Sequence, residues 1–361
     1  MKIIYGYILR VFGKFLFIVM VSALTLFIAV DFSEKFDDLM EASVSWLDIT
    51  KYFACKIPSI IKDVTIPVVA VGTLVAYEVL THRREILAIH ASGISPRRYV
   101  KTIILVSLVI SIGYLGFIDT VERPLRIQAK TFWSERIKKL SDQALTFKQI
   151  KKGEIWYATR HIICHIMYYD PNSKSFHGVS ISLVDDDFKI RRKINTAVMT
   201  WGGNQWIAEN ATIIDFEKEG ASLKKVASLP IEIQETPADL SIFQTPMEDL
   251  SIRDIIHVIS LMHREGVNFQ SYLMELMLRL ANALAIVVSV ALAIAILARY
   301  SRCSLRSEVK SGVYAIIGFG LFFGLFQLGV GLAASSSVPM FLGVWGGHIA
   351  AVAIALLLLS K

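Results

Sequence analysis

Apolar residues in this chain gather in long runs toward its two ends, and a polar stretch of different texture lies between them. A helix that crosses a bilayer needs about 20 mostly apolar residues, and six segments are predicted on that measure. The first covers about Val11 to Phe32. The second runs from Ile57 to Leu80, with Lys62 and Asp63 near its start, and the third from Thr102 to Ile118. The fourth is LANALAIVVSVALAIAILA, Leu280 to Ala298, framed by Arg279 and Arg299. Ser311 to Ser360 contains no Asp, Glu, Lys or Arg, and its length fits a fifth and a sixth span broken at SSSVP, Ser335 to Pro339.

Between the third and fourth spans the pattern changes. GEIWYATRHIICHIMYYD, GVSISLV, INTAVMTW and QWIAENATIIDF are short, rich in β-branched and aromatic residues, and divided by the turn signals DPNSKS, DDD and WGGNQW. Strands at this spacing predict a sandwich or jelly roll. After Pro246 the helical period returns. SIRDIIHVISLMHREG puts Ile252, Ile255, Ile256, Ile259 and Met262 on one face, with Gly266 as its stop. The predicted fold is an α-helical membrane protein with six transmembrane helices plus an extracytoplasmic all-β, jelly-roll-like domain. Residues 1–121 hold helices one to three with a short cytoplasmic helix at about 82–94. Residues 122–250 form the β domain, and 251–361 hold an outer-surface helix and helices four to six.

Charge orients this arrangement. Lys2, Arg10 and Lys14, then Arg83, Arg84, Arg97, Arg98 and Lys101, then Arg299, Arg302, Arg306 and Lys310, and finally Lys361 all fall on one side of six spans. The opposite short loops are acidic (Asp31 to Lys56) or uncharged (Ala333 to Val338). The Lys/Arg-rich side is the cytoplasmic one, so both termini are expected inside and the β domain outside, in the periplasm. The apolar fraction of 54% exceeds the roughly 45–50% of soluble domains. The net charge of +7 comes with no zinc-finger, RRM or KH pattern, so nucleic acid is not an expected partner. Cys55, Cys164 and Cys303 are far apart and imply neither a disulfide framework nor a zinc site. The basic start and the run from Phe15 to Val30 are long for a signal peptide and read as a retained membrane helix.

No G-x-x-x-x-G-K-[ST] occurs, so any ATP-driven work must come from a partner. His161 and His165 share a strand face while Cys164 points the other way, which favours structural histidines over a metal site. Asp185, Asp186 and Asp187 read as a solvated hairpin turn rather than a calcium loop. Gly320 and Gly324, like Gly343 and Gly347, form G-x-x-x-G pairs that close helix packing explains. Phe319, Phe322, Phe323 and Phe326 make a dense aromatic run, either packed or forming a wall for acyl chains. DFSEKFDDLMEAS, at the outer end of span one, is either a solvated helix end or a place that meets a polar lipid head group. In YEVLTHRREILAIHASGISPRR, Ile86, Leu87 and Ile89 give a short helix an apolar side, Arg83, Arg84 and Glu85 give it charge, and ASGISP ends it. A helix so placed, exposed to cytosol, could dock into a soluble ATPase.

Over its whole length the chain resembles the LptF/LptG (YjgP/YjgQ) permeases of lipopolysaccharide export. PVVAVGTLVAYEVLTHRREILAIHASGISPRR is similar to the family's second span and the E-L-…-A-S-G-[IFW]-S signature that follows it. YLMELMLRLANALAIVVSVALAIAI is similar to its fourth span with Arg279 at the start, although no proline stands near Ala283. FDDLMEAS is closer to the LptG side than the LptF side. The resemblance implies a transport subunit without its own ATPase site or cofactor. It implies pairing with a second LptF/LptG-type permease and with a cytoplasmic ABC ATPase dimer (LptB-like). It also implies an LptC-like protein, and a periplasmic bridge that receives lipopolysaccharide extracted from the inner membrane. ATPase coupling falls on Glu85, with Arg83, Arg84, Ile86 and Ile89 around it. The lipid cavity and gate fall on Phe27, Lys35, Phe319, Phe322 and Phe326. The positions around Glu34, Met40 and Glu41 are not basic, so Arg123, Arg126 and Lys130 become the expected lipid phosphate contacts beside Lys35. Two other classes fit the bare sequence: a mechanotransmitting or signalling membrane protein whose β domain binds a periplasmic partner, and a membrane-embedded enzyme. The latter is disfavoured by the missing catalytic constellation.

Overall fold

The computed structural model describes residues 2–41, 45–93, 96–133, 155–158, 162–170, 173, 175–185, 189–203, 205–217, 220–231, 245–264, 268–300 and 305–360. In chain order the helices are α1 (Lys2–Glu41), α2 (Trp46–His82), α3 (Glu85–Ala91), α4 (Pro96–Phe117), α5 (Arg123–Phe132), α6 (Ile252–Arg264), α7 (Gln270–Tyr300), α8 (Leu305–Ala334) and α9 (Met340–Ser360). The strands are β1 (Ile155–Ala158), β2 (Ile162–Asp170), β3 (Ser175–Val184), β4 (Ile190–Trp201), β5 (Trp206–Glu217) and β6 (Gly220–Ile231). The chain divides into two compact units, Met1–Leu140 with Met277–Lys361, and Ser141–Leu276.

Six helices are long and apolar enough to cross a membrane, and they contain the six predicted segments. They run well past those segments. At about 1.5 Å per residue, the 40 residues of α1 span about 60 Å, twice the roughly 30 Å hydrocarbon core. α2 begins eleven residues before the predicted Ile57, at Trp46, where the Ser45 hydroxyl accepts from the Leu47 N–H at 3.4 Å. It continues through Pro58 and Pro67, as membrane helices do when neighbouring groups take up the freed carbonyls. α4 and α5 are joined by a π turn, Ile118–Glu122. Pro124 lies at the start of α5 and has no N–H to give to the preceding turn, and the ladder widens there.

α2 and α7 form the inside of the helical unit, and α1 lies at its edge. The apolar windows of α2 and α7 are 67% and 72% buried, whereas that of α1 is 0% buried. α7 is studded with alanine, and Ala281, Ala283, Ala285 and Ala295 are fully or nearly fully enclosed. Small side chains let neighbouring backbones come close, and the Ser111 hydroxyl of α4 donates to the Ala283 carbonyl at 2.7 Å. α8 and α9 cross at glycine. A Cβ on Gly343 would collide with the Gly329 carbonyl and the Ala333 methyl, and one on Gly347 would lie 3.1 Å from the Phe326 nitrogen. Gly320 and Gly324 have open space beside them, so only the second G-x-x-x-G pair serves packing within this chain.

The other unit holds a six-stranded antiparallel sheet in the order β1-β2-β3-β4-β5-β6. This is a meander; the crossing connections of a jelly roll are not among the described residues. The predicted first strand is two, β1 and β2, paired from Ile155↔Ile166 to Ala158↔Ile163. β6, with its two lysines, has no counterpart in the sequence prediction. One face is a core of Ile166, Phe176, Met199, Trp206 and Ala208, all fully enclosed, with the Phe176 and Trp206 rings 4.7 Å apart. Cys164 is buried in the same core, which pushes its thiol up to about 12. His161, Asp186, Asp187 and Gly266 lie outside the described residues. Asp185 accepts from the Lys189 N–H at 2.9 Å, as a hairpin-turn carboxylate does. α6 starts with a reciprocal cap, Ser251 N–H to the Asp254 carboxylate and Asp254 N–H to the Ser251 hydroxyl, both 3.0 Å. Its buried side chains are Ile255 and Val258, while Ile256 of the predicted face is exposed.

Candidate functional site

The stretch after the second span folds into an elbow. α2 stops at His82, where the Arg83 N–H still reaches the Val79 carbonyl at 3.1 Å. Arg84 then adopts a left-handed conformation, φ 59°, with its N–H on the Thr81 carbonyl at 2.9 Å. A non-glycine residue there costs on the order of 1–2 kcal/mol. That cost is met because the Arg84 carbonyl starts the next helix by accepting from the Ala88 N–H at 3.0 Å. α3 thus leaves α2 at a fixed angle. Ile86 and Ile89, one turn apart, face inward and line a small apolar pocket with Ile8, Phe12, Tyr77 and Leu80. Glu85 accepts a hydrogen bond from the Tyr7 hydroxyl of α1 at 2.8 Å. Leu87 is 54% exposed, and Arg83 and Arg84 are exposed beside it. The short helix is therefore fastened to both α1 and α2 by its inner face and presents Leu87 and two arginines outward.

Toward the other end of α1, Lys35 sits in a box of aromatic and acidic groups. Its ammonium donates to the Asp31 carboxylate at 2.9 Å and to the Tyr52 hydroxyl at 2.7 Å. It also lies 5.2 Å from the Tyr52 ring centroid and 5.0 Å from that of Trp133, within the range at which an aromatic face attracts a cation. Lys56 binds the same Asp31 oxygen. Two lysines thus share one carboxylate oxygen.

A second ionic group surrounds the π turn. Glu122, the last residue of that turn, is completely buried. Its carboxylate accepts from the Ser59 hydroxyl at 3.1 Å and lies 2.9 Å from the Arg126 Nε and 3.5 Å from the Lys62 ammonium. Asp63 is 3.7 Å from Lys62, and the Tyr114 hydroxyl donates to the Lys62 carbonyl at 3.4 Å. Arg123, Arg126 and Lys130 follow one another along α5; Lys130 is exposed and the first two are half-buried. Ionisable groups inside a membrane helix are expensive, and they mark function by default.

The aromatic run of α8 divides. Phe322 and Phe326 are buried, with their rings 5.3 and 4.8 Å from His348 of α9 and near perpendicular to it. His348 hydrogen-bonds the Ala281 carbonyl at 3.0 Å. Phe319 is half-buried and stacks on Phe323 at 5.9 Å. Leu321, Leu325 and Leu328 are among the apolar side chains that α8 exposes. On α1, Phe27 is 49% exposed, with Leu26 and Val30 beside it.

The structure brings Glu85, Ile86 and Ile89 together at one end of the bundle. It places Lys35 with Asp31 and Lys56 and with two groups the sequence reading had not named, Tyr52 and Trp133. It adds Tyr7 and Glu122, and brings Lys62 to Glu122. Glu122 and Arg126 are four residues apart on one helix face, as are Asp31 and Lys35, so both pairs had a visible signal. Tyr7 had none, because its partner lies 78 residues away. Among the described residues, no three His, Cys, Asp or Glu side chains come together as metal ligands do.

No curated protein matches the chain. A family model described as lipopolysaccharide export system permease LptF/LptG matches residues 6–361. That match covers all six apolar helices beyond the first few residues, and the β sheet between them. The chain belongs to the LptF/LptG family, the multi-pass membrane permeases of lipopolysaccharide export.

Proposed function

We propose that this permease is driven by a separate cytoplasmic ABC ATPase dimer, LptB-like, which takes hold at α3. One observation carries the reading: a short helix is fastened to α1 and α2 on its inside, while Leu87 and two arginines stay uncovered on its outside. A displacement of α3 would reach α2 through Ile86 and Ile89, and α1 through Glu85 and Tyr7. No residue of the apolar window of α1 is fully buried. Both termini and α3 are then cytoplasmic, and the β domain is periplasmic.

A second LptF/LptG-type permease completes the cavity. α1 and α8 form its gate, with Phe27 and Phe319 on the wall, and Phe322 and Phe326 swinging out from His348 as it opens. Lys35, Arg123, Arg126 and Lys130 meet the lipid phosphates. The lipid leaves past the β domain to an LptC-like protein and a periplasmic bridge. Extraction of the full chain from its native membrane in mild detergent tests the partnership. A soluble ABC ATPase and a second, similar permease are expected to copurify. Recovery of this chain with neither would overturn the proposal.

A further inference from the structure

We infer that Glu78 of α2 and Ser311 of α8 are positioning residues that make α8 follow α3, so that the ATPase moves the second gate helix as well as the first. The inference rests on the proposed driving of this permease at α3 and deepens it. The Ser311 hydroxyl donates to the Glu78 carboxylate at 2.6 Å, a length usual for a hydroxyl on a carboxylate. Ser311 is completely buried and Glu78 is half-buried. Both belong to helices long and apolar enough to cross a membrane, where an ionisable side chain is costly and marks function by default.

Glu78 stands one turn before the end of α2 at His82, about 6 Å along the helix axis from the elbow. Glu85 is the first residue of α3, just past the elbow. The two carboxylates therefore flank the elbow, and each accepts from a hydroxyl of a different helix: Glu85 from Tyr7 of α1, and Glu78 from Ser311 of α8. Those are the two helices assigned to the gate. Ala315, one turn beyond Ser311, is buried in the same apolar cluster as Tyr77 and Leu80, so packing accompanies the bond at this joint. Farther along, α8 meets its neighbours through apolar surfaces. Gly318 lies against Ile296 of α7, and Phe322 and Phe326 lie against His348 of α9. Hydrophobic contact is non-directional and lets helices slide, whereas a hydrogen bond in a low-dielectric site holds its geometry. A shift of the elbow thus reaches α8 at Ser311, and the sliding contacts farther along let its aromatic run move.

The test uses the full chain in proteoliposomes with its partner permease and ATPase. Ser311→Ala and Glu78→Ala are each expected to lower the lipopolysaccharide released per ATP hydrolysed by about tenfold, the scale of losing one hydrogen bond to a charged group. Because both remove the same bond, the double variant should be no worse than the more impaired single one. A second readout separates the two gate helices. In a chain with Cys55 and Cys303 replaced by serine, a nitroxide on Leu325→Cys reports α8 and one on Leu26→Cys reports α1; both leucines are more than half exposed. With Ser311 intact, both labels should change mobility when ATP and vanadate are added. With Ser311→Ala, the α8 label should fall silent while the α1 label still responds. A normal release ratio in Ser311→Ala, additive losses in the double variant, an α8 label that responds without Ser311, or the silencing of both labels by Ser311→Ala would overturn the inference. If neither label responds to ATP with Ser311 intact, the ATPase reading itself falls, and the inference falls with it.

Discussion

Replacing Glu122 by glutamine removes one negative charge and little else. The glutamine keeps the shape and can still accept from the Ser59 hydroxyl. What changes is that Arg126, 2.9 Å away with 13% of its side chain exposed, and Lys62, 3.5 Å away with 30% exposed, lose their common counter-charge. Breaking a buried ion pair by deleting one partner costs about 3–5 kcal/mol. The exposure of Lys62 argues for the lower end, about 3 kcal/mol. At roughly 2–4 °C per kcal/mol for a unit of about 225 residues, the melting temperature should fall by about 6–12 °C. Differential scanning fluorimetry in detergent reads this directly. Arg126→Gln should destabilise in its turn, and the double variant should recover part of the loss, because it leaves no uncompensated charge on either residue. A shift below about 1 °C for Glu122→Gln, or strictly additive single variants, would refute the reasoning.

Two further outcomes follow from packing. Gly343→Val puts a side chain into the Gly329 carbonyl and Ala333, and should destabilise by about 1–3 kcal/mol, whereas Gly320→Ala, beside open space, should leave thermal stability unchanged. Cys164, its thiol pushed up to about 12 by burial, should have only about one part in ten thousand as thiolate at pH 8; in a chain with Cys55 and Cys303 replaced by serine, maleimide labelling should await unfolding.

The helical fold was legible in the chain because membrane spans announce themselves by length and absence of charge, and Ser311 to Ser360 is the clearest case. Helix ends were not. Lys51 and Lys56 make 46–56 read as loop, yet α2 runs through them, since hydropathy reports the membrane-buried part of a helix and not its projecting turns. The middle strands were readable from their β-branched texture, but GASLKKVASLPI was not, because an edge strand with two exposed lysines lacks clean alternation. At the candidate site, the charge of Glu85 and the apolar pair Ile86 and Ile89 could be seen, but not that the isoleucines face the bundle and leave Leu87 outside. Phe322 and Phe326 looked suited to a lipid wall. The structure buries them against His348, a residue the aromatic run gives no hint of. Asp31 and Lys35 could be paired by their spacing, but Tyr52 of α2 and Trp133, which complete the surroundings of Lys35, are well separated from it in the chain.

The most direct test of the account is ATP-driven lipopolysaccharide release from proteoliposomes holding this permease with its partner permease and ATPase. Lipid released per ATP hydrolysed would be compared between wild type and Glu85→Ala. The variant should insert and assemble normally while the ratio falls by about tenfold, the effect of about 1.4 kcal/mol at the coupling contact. An unchanged ratio would contradict the claim that an external ATPase drives this permease through Glu85.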